Sequence, residues 1–224
     1  MELNLVYSIL GLLGGITCAI GDILLDLKGK DNVKLGKSSM IESNWTKMAN
    51  IRFKISIVLG FFGSFMCSLG LYSLSRQILG QDEVLAEVLL LVTIIMAMTG
   101  FFIHTFCCIA PITYKAVITG ENFELADHTI ETLFGAVKIL FFILYLFIML
   151  VPTAITIYCI LSGLIHVPIW FVILNPFVFL IIGVLLRLAF PKYCYDLPGI
   201  CMPSLGIGMF GLIGMINVIA SNGF

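Results

Sequence analysis

Charged residues are scarce in this sequence. Asp, Glu, Lys and Arg make up 11% of its 224 residues, whereas soluble domains carry about 25%. Hydrophobic residues make up 60%, and the mean hydropathy is +1.13. A chain with so few charges cannot cover its core with a solvated surface. The sequence therefore predicts an integral membrane protein that crosses the cell membrane several times.

Common catalytic and cofactor-binding motifs are absent as well. The sequence contains no phosphate-binding loop, dinucleotide motif, HExxH or GxSxG. Of its three histidines only His104 falls in a predicted span, which argues against haem held by two facing histidines. It also sets aside the three-histidine zinc site of alkaline ceramidases and progestin-receptor-like hydrolases. No CxxC occurs among the seven cysteines, so we expect free thiols and no disulfide framework.

Six apolar segments are long enough to cross the hydrocarbon core, which takes about 20 helical residues. They are residues 5–27, 54–79, 84–110, 134–161, 168–190 and 200–220. With the N-terminus outside, every Lys and Arg except Arg76 falls on the cytoplasmic side. The positive-inside rule therefore selects N-out and C-out. The predicted fold is an all-α bundle of six transmembrane helices forming a single domain.

The first predicted cytoplasmic loop carries a helix signal. Ser39 and Glu42 have the spacing of a capping box. Apolar residues, Trp45 among them, then recur at helical spacing as far as Ile51. The pattern predicts an amphipathic helix over about 40–52 that lies in the membrane interface with Trp45 as its anchor. The alternative is a plain basic loop that obeys the topology rule.

Small residues recur on one face of each of the first three spans, a pattern typical of closely packed membrane helices. The stripe of the first span leads from Gly11 to Asp22, and that of the second begins one turn after Arg52. The stripe of the third span leads to His104. We therefore expect these three helices to pack together, with ionisable residues in the cytoplasmic half of the bundle.

Asp22 is the centre of this group. Asp26 lies one helical turn later and faces the same way. At 1.5 Å per residue, Asp22 is roughly 9 Å deep and Asp26 roughly 3 Å deep when measured from Lys28. The same count places His104 roughly 10 Å deep if its helix ends at Pro111 and roughly 16 Å deep if the helix runs on to Lys115. Arg187 is roughly 7 Å above Lys192. Asp22, Asp26, His104 and Arg187 can therefore share one layer of the inner leaflet.

Several uses of such a group fit the residue types. A carboxylate beside an imidazole can serve general acid–base chemistry, with Asp22 as base, His104 as acid–base partner and Asp26 as orienting group. Asp22, His104 and Cys108 are candidate ligands for a divalent metal such as zinc. Buried Asp and His side chains can also titrate during proton-coupled transport.

Cations surround this layer. Three of them are candidate substrate-binding residues. Arg187 or Arg52 could hold an anionic headgroup, and Arg52 and Lys54 lie at the cytoplasmic opening of the layer. The structural alternative is that Asp22 pairs with Arg187 or Arg52 and locks the bundle. In that case Asp26 only balances the basic residues that follow the first span.

Two short motifs resemble parts of a known family. Gly-Asp-Ile-Leu-Leu at 21–25 and Phe-Phe-Ile-His at 101–104 are similar to the GD-x-x-L run and the aromatic-x-x-His of lysoplasmalogenase-type membrane hydrolases. The resemblance implies a membrane hydrolase that uses the aspartate and the histidine. That family has eight spans, whereas six are predicted here. The size and layout also resemble small uncharacterised bacterial membrane proteins grouped as domains of unknown function.

The function we expect is an enzyme that acts on a lipid or another amphiphile at the inner leaflet. A small proton-coupled carrier and a non-catalytic scaffold or sensor are the alternatives. The chain shows no internal repeat, which disfavours the carrier. The expected partners are membrane lipid and a second copy of the chain, with no nucleic acid.

Overall fold

The computed structural model describes residues 2–118, 122–197, 199 and 201–221. Helices dominate this part of the chain. Its α-helices are α1 (Glu2–Asp26), α2 (Asn50–Ile78), α3 (Glu83–Val117), α4 (Phe123–Tyr145), α5 (Val151–Leu161), α6 (Pro176–Ala189) and α7 (Cys201–Ser221). A π-helical turn (Leu146–Leu150) joins α4 to α5, and one small hairpin is formed by β1 (Lys34–Leu35) and β2 (Ile41–Glu42). The predicted all-α bundle is confirmed.

Five helices of the described chain are long and apolar enough to cross a membrane, the longest being the continuous helix Phe123–Leu161. The segment predicted as the fifth span, 168–190, is divided instead. A 3-10 helix covers Ile169–Ile173 and the 14-residue α6 begins at Pro176. At 1.5 Å per residue α6 is about 21 Å long, shorter than the ~30 Å hydrocarbon core.

The break before α6 has a local cause. Pro176 has no N–H to continue a helix from the preceding segment, and it fits the first position of a new one. The Asn175 side chain accepts hydrogen bonds from the backbone N–H groups of Phe177 and Val178 at 3.0 and 3.1 Å. Asn175 therefore caps a new helix inside the segment that the sequence predicted to be a single span, bent at Asn175-Pro176.

The predicted loop 111–133 is also mostly helical. Helix α3 continues past Pro111 to Val117, and α4 begins at Phe123 rather than at residue 134. The side chain of Asn122 accepts a hydrogen bond from the backbone N–H of Leu125 at 3.1 Å, which caps α4.

Helices α1, α2 and α7 form the most closely packed part of the bundle, because glycines let their backbones meet. A methyl group placed on Gly70 of α2 would lie 3.0 Å from Cα of Gly11 and 3.2 Å from Cα of Gly211. Gly15 and Gly208 make the same kind of contact between α1 and α7. The small-residue stripe of α1 therefore packs against α2, as predicted, and also against α7, which the stripes did not predict.

The predicted amphipathic helix over 40–52 is wrong. Glu42 lies in β2, a 3-10 helix follows over Ser43–Lys47, and α2 begins at Asn50. Ser39 has a φ of 57°, a left-handed conformation that an N-cap residue does not adopt. Glu42 does not complete a capping box either, because it accepts hydrogen bonds from the side chains of Lys28 and Asn32.

Trp45 is packed inside the protein and does not lie at the lipid interface. It is 4% exposed, and its ring meets that of Tyr114 edge to face at 5.7 Å between centroids. Ile41, Met48 and Phe53 are buried in the same cluster. The first loop therefore folds over the ends of α3 and α4 and covers one end of the bundle.

Candidate functional site

The structure brings Asp22 of α1 and His104 of α3 into contact. Their side chains are among the buried polar groups, with residue exposures of 1% and 7%. Nδ1 of His104 lies 3.1 Å from Oδ1 of Asp22. His104 lies on the face of α3 that meets α2, as the small-residue stripes predicted. The arginine partners considered for Asp22 are elsewhere, so its charged neighbour is a histidine.

The imidazole of His104 is held from its other side by the start of α2. Nε2 lies 2.9 Å from both the backbone oxygen and the Oγ of Ser56. The Ser56 hydroxyl donates to the backbone oxygen of Gly21 at 2.7 Å, which ties α2 to α1 at this level. A side chain on Gly60 would overlap the His104 ring, so this glycine makes the space that the imidazole occupies.

These contacts indicate which nitrogen of His104 carries a proton. A carbonyl oxygen can only accept, so Nε2 of His104 donates to Ser56 and carries a proton. With one further proton between Nδ1 and the Asp22 carboxyl group, the pair is either imidazolium and carboxylate or two neutral groups. Both arrangements have a net charge of zero, which keeps the pair compatible with a buried position in a membrane protein.

Asp22 has a second partner on α7. The hydroxyl of Ser204 donates a hydrogen bond to Oδ2 at 2.6 Å. Oδ1, by contrast, has Nδ1 of His104 at 3.1 Å and accepts no hydrogen bond from any other described residue. This oxygen keeps an unused acceptor position in a buried site, where polar atoms are normally satisfied.

A cavity of about 80 Å³ lies beside the pair. Six helical segments contribute to its wall, among them the π-turn through Ile148. Its polar side chains are Asp22, His104, Ser64, Ser204 and Tyr145, and its apolar ones include Met96, Ile103 and Ile207. A wall with one polar end and an apolar remainder suits a molecule that is itself amphipathic.

The π-turn has a structural cause that shapes this cavity. Pro152 has no N–H to donate to the carbonyl oxygen of Ile148 four residues earlier, and the helix widens to π geometry over Leu146–Leu150. Ile148 and the preceding Tyr145 both line the cavity. The irregular turn thus lies beside the acid–base pair.

Asp22 also borders a second cavity, of about 230 Å³, on the side of Tyr193 and Leu197. Asp26 lines this second cavity and does not join the His104 contact. Its carboxylate forms an ion pair with Lys28 at 2.8 Å. Asp22 therefore lies between two cavities, whereas Asp26 belongs to the charged end of the bundle.

The three predicted substrate-binding cations have different surroundings. Arg52 donates to the backbone oxygens of Leu24 and Leu27 at 3.1 and 3.0 Å, so it caps the end of α1 and does not face the pair. Lys54 is exposed on the surface of α2. Arg187 lies with its guanidinium 4.4 Å from the centroid of the Tyr195 ring.

The candidate metal ligands do not form a ligand set. Asp22 and Ser56 occupy both ring nitrogens of His104, and the thiol of Cys108 donates to Ser56 Oγ at 3.3 Å. Across the part of the chain that the structure describes, no group of three or more His, Cys, Asp or Glu residues has the arrangement of a metal site.

Two residues of the site were not predicted from the sequence. Ser56 was part of the α2 stripe, but nothing in the sequence indicated that it would hold His104. Ser204 gave no signal, because its contact with Asp22 depends on α7 packing against α1. The one hint was the glycine pattern of α7, which includes Gly208 and Gly211 at a three-residue step.

Comparison with known proteins completes the description of the site. No curated protein and no solved structure matches the chain. The resemblance to lysoplasmalogenase-type hydrolases gains no support, whereas the resemblance to a domain of unknown function is confirmed. The chain belongs to a family of unknown function, DUF6796, whose family model matches residues 1–221.

Proposed function

We propose that this protein is a membrane enzyme that hydrolyses a lipid or another amphiphile, with Asp22 as general base. The observation that carries the proposal is the unused acceptor position on Asp22 Oδ1 at a buried site that borders an amphipathic cavity. A carboxylate in such a place can accept a proton from a water molecule. The apolar wall would hold the hydrocarbon part of the substrate.

The proposed reaction needs one carboxylate. Oδ1 of Asp22 accepts a proton from water as the water oxygen bonds to the electrophilic atom of the substrate. The bond to the leaving oxygen then breaks, and Asp22 returns the same proton to that oxygen. Water is consumed, two products form, and the enzyme is regenerated.

His104 would then have a positioning role, which differs from the acid–base role expected from the sequence. Its Nε2–H is committed to Ser56, and its Nδ1 faces Asp22. With Nδ1 protonated, the imidazolium favours the anionic form of Asp22, which is the form that accepts a proton from water. Ser204 supports the same form by donating to Oδ2.

The order Ser56–His104–Asp22 has the connectivity of a serine triad, yet Ser56 is a poor nucleophile here. Its side chain is completely buried, and its hydroxyl proton is directed to the backbone oxygen of Gly21. It does not line the cavity beside the pair. Water attack assisted by Asp22 is therefore favoured over an acyl-enzyme on Ser56.

The test uses the purified full chain in lipid nanodiscs with isotope-labelled lipids, and products are identified by mass spectrometry. We expect product from the wild type and none from Asp22→Asn, whose amide cannot accept the proton. The matched control is Asp82→Asn, because Asp82 caps α3 at Leu85 N and Asn caps helices equally well. Equal turnover by wild type and Asp22→Asn, or loss of the folded Asp22→Asn protein from membranes, would contradict a catalytic Asp22.

One observation favours the proton-coupled carrier as a second candidate. Asp22 borders two cavities, and a titrating carboxylate between two compartments can pass a proton from one to the other. Proteoliposomes with a trapped pH indicator separate the two functions. A carrier moves protons in a manner that depends on Asp22 and leaves its cargo chemically unchanged, whereas the enzyme makes a new product.

A further inference from the structure

A third cavity, of about 540 Å³, lies at the end of the bundle that the sequence predicts to be cytoplasmic. We call it the headgroup cavity. Its charged lining residues come from the end of α1 and the segment after it, the hairpin, the end of α6 and the loop that follows α6. They are Asp26, Lys28, Lys34, Glu42, Arg187 and Asp196.

The headgroup cavity is connected to the site of the proposed function through shared walls. Asp26 and Asp196 line both this cavity and the cavity of about 230 Å³ beside it. Asp22 borders that neighbouring cavity. A single amphiphile can therefore have its polar end among these charges and another part close to Asp22.

The carboxylates of the headgroup cavity carry more negative charge than the one lysine paired with them, Lys28, can neutralise. Lys28 forms ion pairs with Asp26 at 2.8 Å and with Glu42 at 3.0 Å. Burial alone would lower the pKa of Lys28, but these two carboxylates outweigh it and raise the pKa. One cation thus serves two anions. Among the described residues, Asp196 accepts hydrogen bonds only from the backbone N–H groups of Lys28 and Gly29.

The positive side has the opposite excess. Arg187 and Lys34 form no ion pair with any residue in the described ranges. The guanidinium of Arg187 stacks on the ring of Tyr195, 4.4 Å from its centroid, which orients it, and its N–H groups form no hydrogen bond with a described residue. The cavity is therefore lined by two cations that have no carboxylate partner among the described residues. It is also lined by three carboxylates that share one lysine, which leaves an excess of two negative charges.

We infer that the headgroup cavity binds the zwitterionic headgroup of an amphiphile, with an oxyanion at Arg187 and Lys34 and an ammonium group beside Asp26, Glu42 and Asp196. The inference rests on the proposed function, whose substrate class it specifies. A purely anionic headgroup would meet the excess carboxylates, and an uncharged one would leave both excesses uncompensated. A ligand with both charges matches both sides.

Native mass spectrometry of the purified full chain with single lipids tests the inference by binding, without turnover. The probes are phosphatidylethanolamine, phosphatidylglycerol and diacylglycerol with identical acyl chains. We expect phosphatidylethanolamine to bind best. Arg187→Gln should weaken it by about tenfold, the effect of losing a hydrogen bond to a charged group. Arg187→Lys should retain part of the binding, and Lys34→Gln provides a second variant at an exposed strand position.

Arg76→Gln is the matched control, since Arg76 also lies over a tyrosine ring, that of Tyr72, but at the other end of α2. It should leave lipid binding unchanged. Equal or tighter binding of phosphatidylglycerol, or equal binding by Arg187→Gln and wild type, would overturn the inference. A thermal stabilisation by inorganic phosphate alone that is lost in Arg187→Gln would overturn the lipid source and indicate a soluble phosphate ligand.

The outcome is separable from that of the proposed function. Turnover is tested at Asp22 and headgroup binding at Arg187, and Asp22 does not line the headgroup cavity. If Asp22→Asn stops turnover while Arg187→Gln leaves binding unchanged, the enzyme stands and the headgroup inference fails. If Arg187→Gln weakens binding but no turnover is found for any lipid, the headgroup cavity stands and the hydrolase fails.

Discussion

Nδ1 of His104 lies 3.1 Å from Oδ1 of Asp22, while the other nitrogen of the same ring donates to the backbone oxygen of Ser56. This relationship joins the first three helices at one level of the bundle. The two side chains also stabilise each other, because each offsets the free-energy cost of burying the other.

Removal of the histidine should therefore destabilise the protein strongly. His104→Leu leaves the Asp22 carboxyl group buried with Ser204 as its remaining polar partner, and we expect a cost of about 3–5 kcal/mol in the free energy of unfolding. Thermal unfolding in detergent measures the effect. His166→Leu, in an exposed turn, is the control and should change little.

The double variant His104→Leu/Asp22→Asn refines this prediction. The amide that replaces the Asp22 carboxyl group carries no charge, so the double variant should be more stable than His104→Leu alone. A double variant that is less stable than the wild type by the sum of the two single losses would mean that the two residues act independently.

Gly60 should be intolerant of any side chain. The methyl group of Gly60→Ala would overlap the His104 ring, so the imidazole would move away from Asp22 and Ser56. We expect a clear fall in thermal stability together with loss of turnover. Gly135→Ala is the matched control on α4, where a methyl group has no neighbour within 4 Å, and it should stabilise its helix by up to about 1 kcal/mol. Similar behaviour of the two variants would contradict the packing described here.

Trp45 offers a test of how the first loop is placed. The protein has two tryptophans. Trp45 is 4% exposed, whereas Trp170 is 55% exposed on the outside of the bundle. With Trp170→Phe, the fluorescence of Trp45 should resist quenching by brominated lipids, and with Trp45→Phe the remaining Trp170 should be quenched strongly. Strong quenching of Trp45 would favour the interfacial helix over the hairpin.

The stability of Trp45 variants gives an independent check. Trp45→Ala removes a large buried side chain and should cost about 3–5 kcal/mol. Trp45→Phe should cost less, because the indole N–H of Trp45 has no hydrogen-bond partner among the described residues. Equal losses for the two variants would show that the indole nitrogen has a polar partner.

The bundle and its central pair could be predicted because they depend on local patterns. Helical stripes of small residues bring Asp22 and His104 to the faces that pack, and the spacing along each helix determines their depth. The break before α6 was also readable in principle, since Asn175-Pro176 is a helix-starting sequence. The apolar residues on both sides of it predict a single bent span, whereas the structure has two separate helices.

The contacts that the sequence did not indicate are those between distant segments. Ser204 reaches Asp22 only because α7 packs on α1 through glycines, and a serine within an apolar helix has many other possible surroundings. The helix predicted over 40–52 failed for a related reason. Lys28 and Asn32 recruit Glu42, and a buried cluster with Tyr114 recruits Trp45. Contacts with distant residues thus outweighed the helix propensity of the short apolar pattern over 40–52.

The backbone contact of Gly11, Gly70 and Gly211 restricts which parts of the protein can move. Helices that touch through their main chains have no side chains between them that could change rotamer, so α1, α2 and α7 should behave as a fixed frame. Any opening that admits a molecule to Asp22 then falls to α3 and the π-turn, on the far side of the cavity. Spin-label pairs should therefore report a constant distance between α1 and α7 and a variable one between α1 and α4.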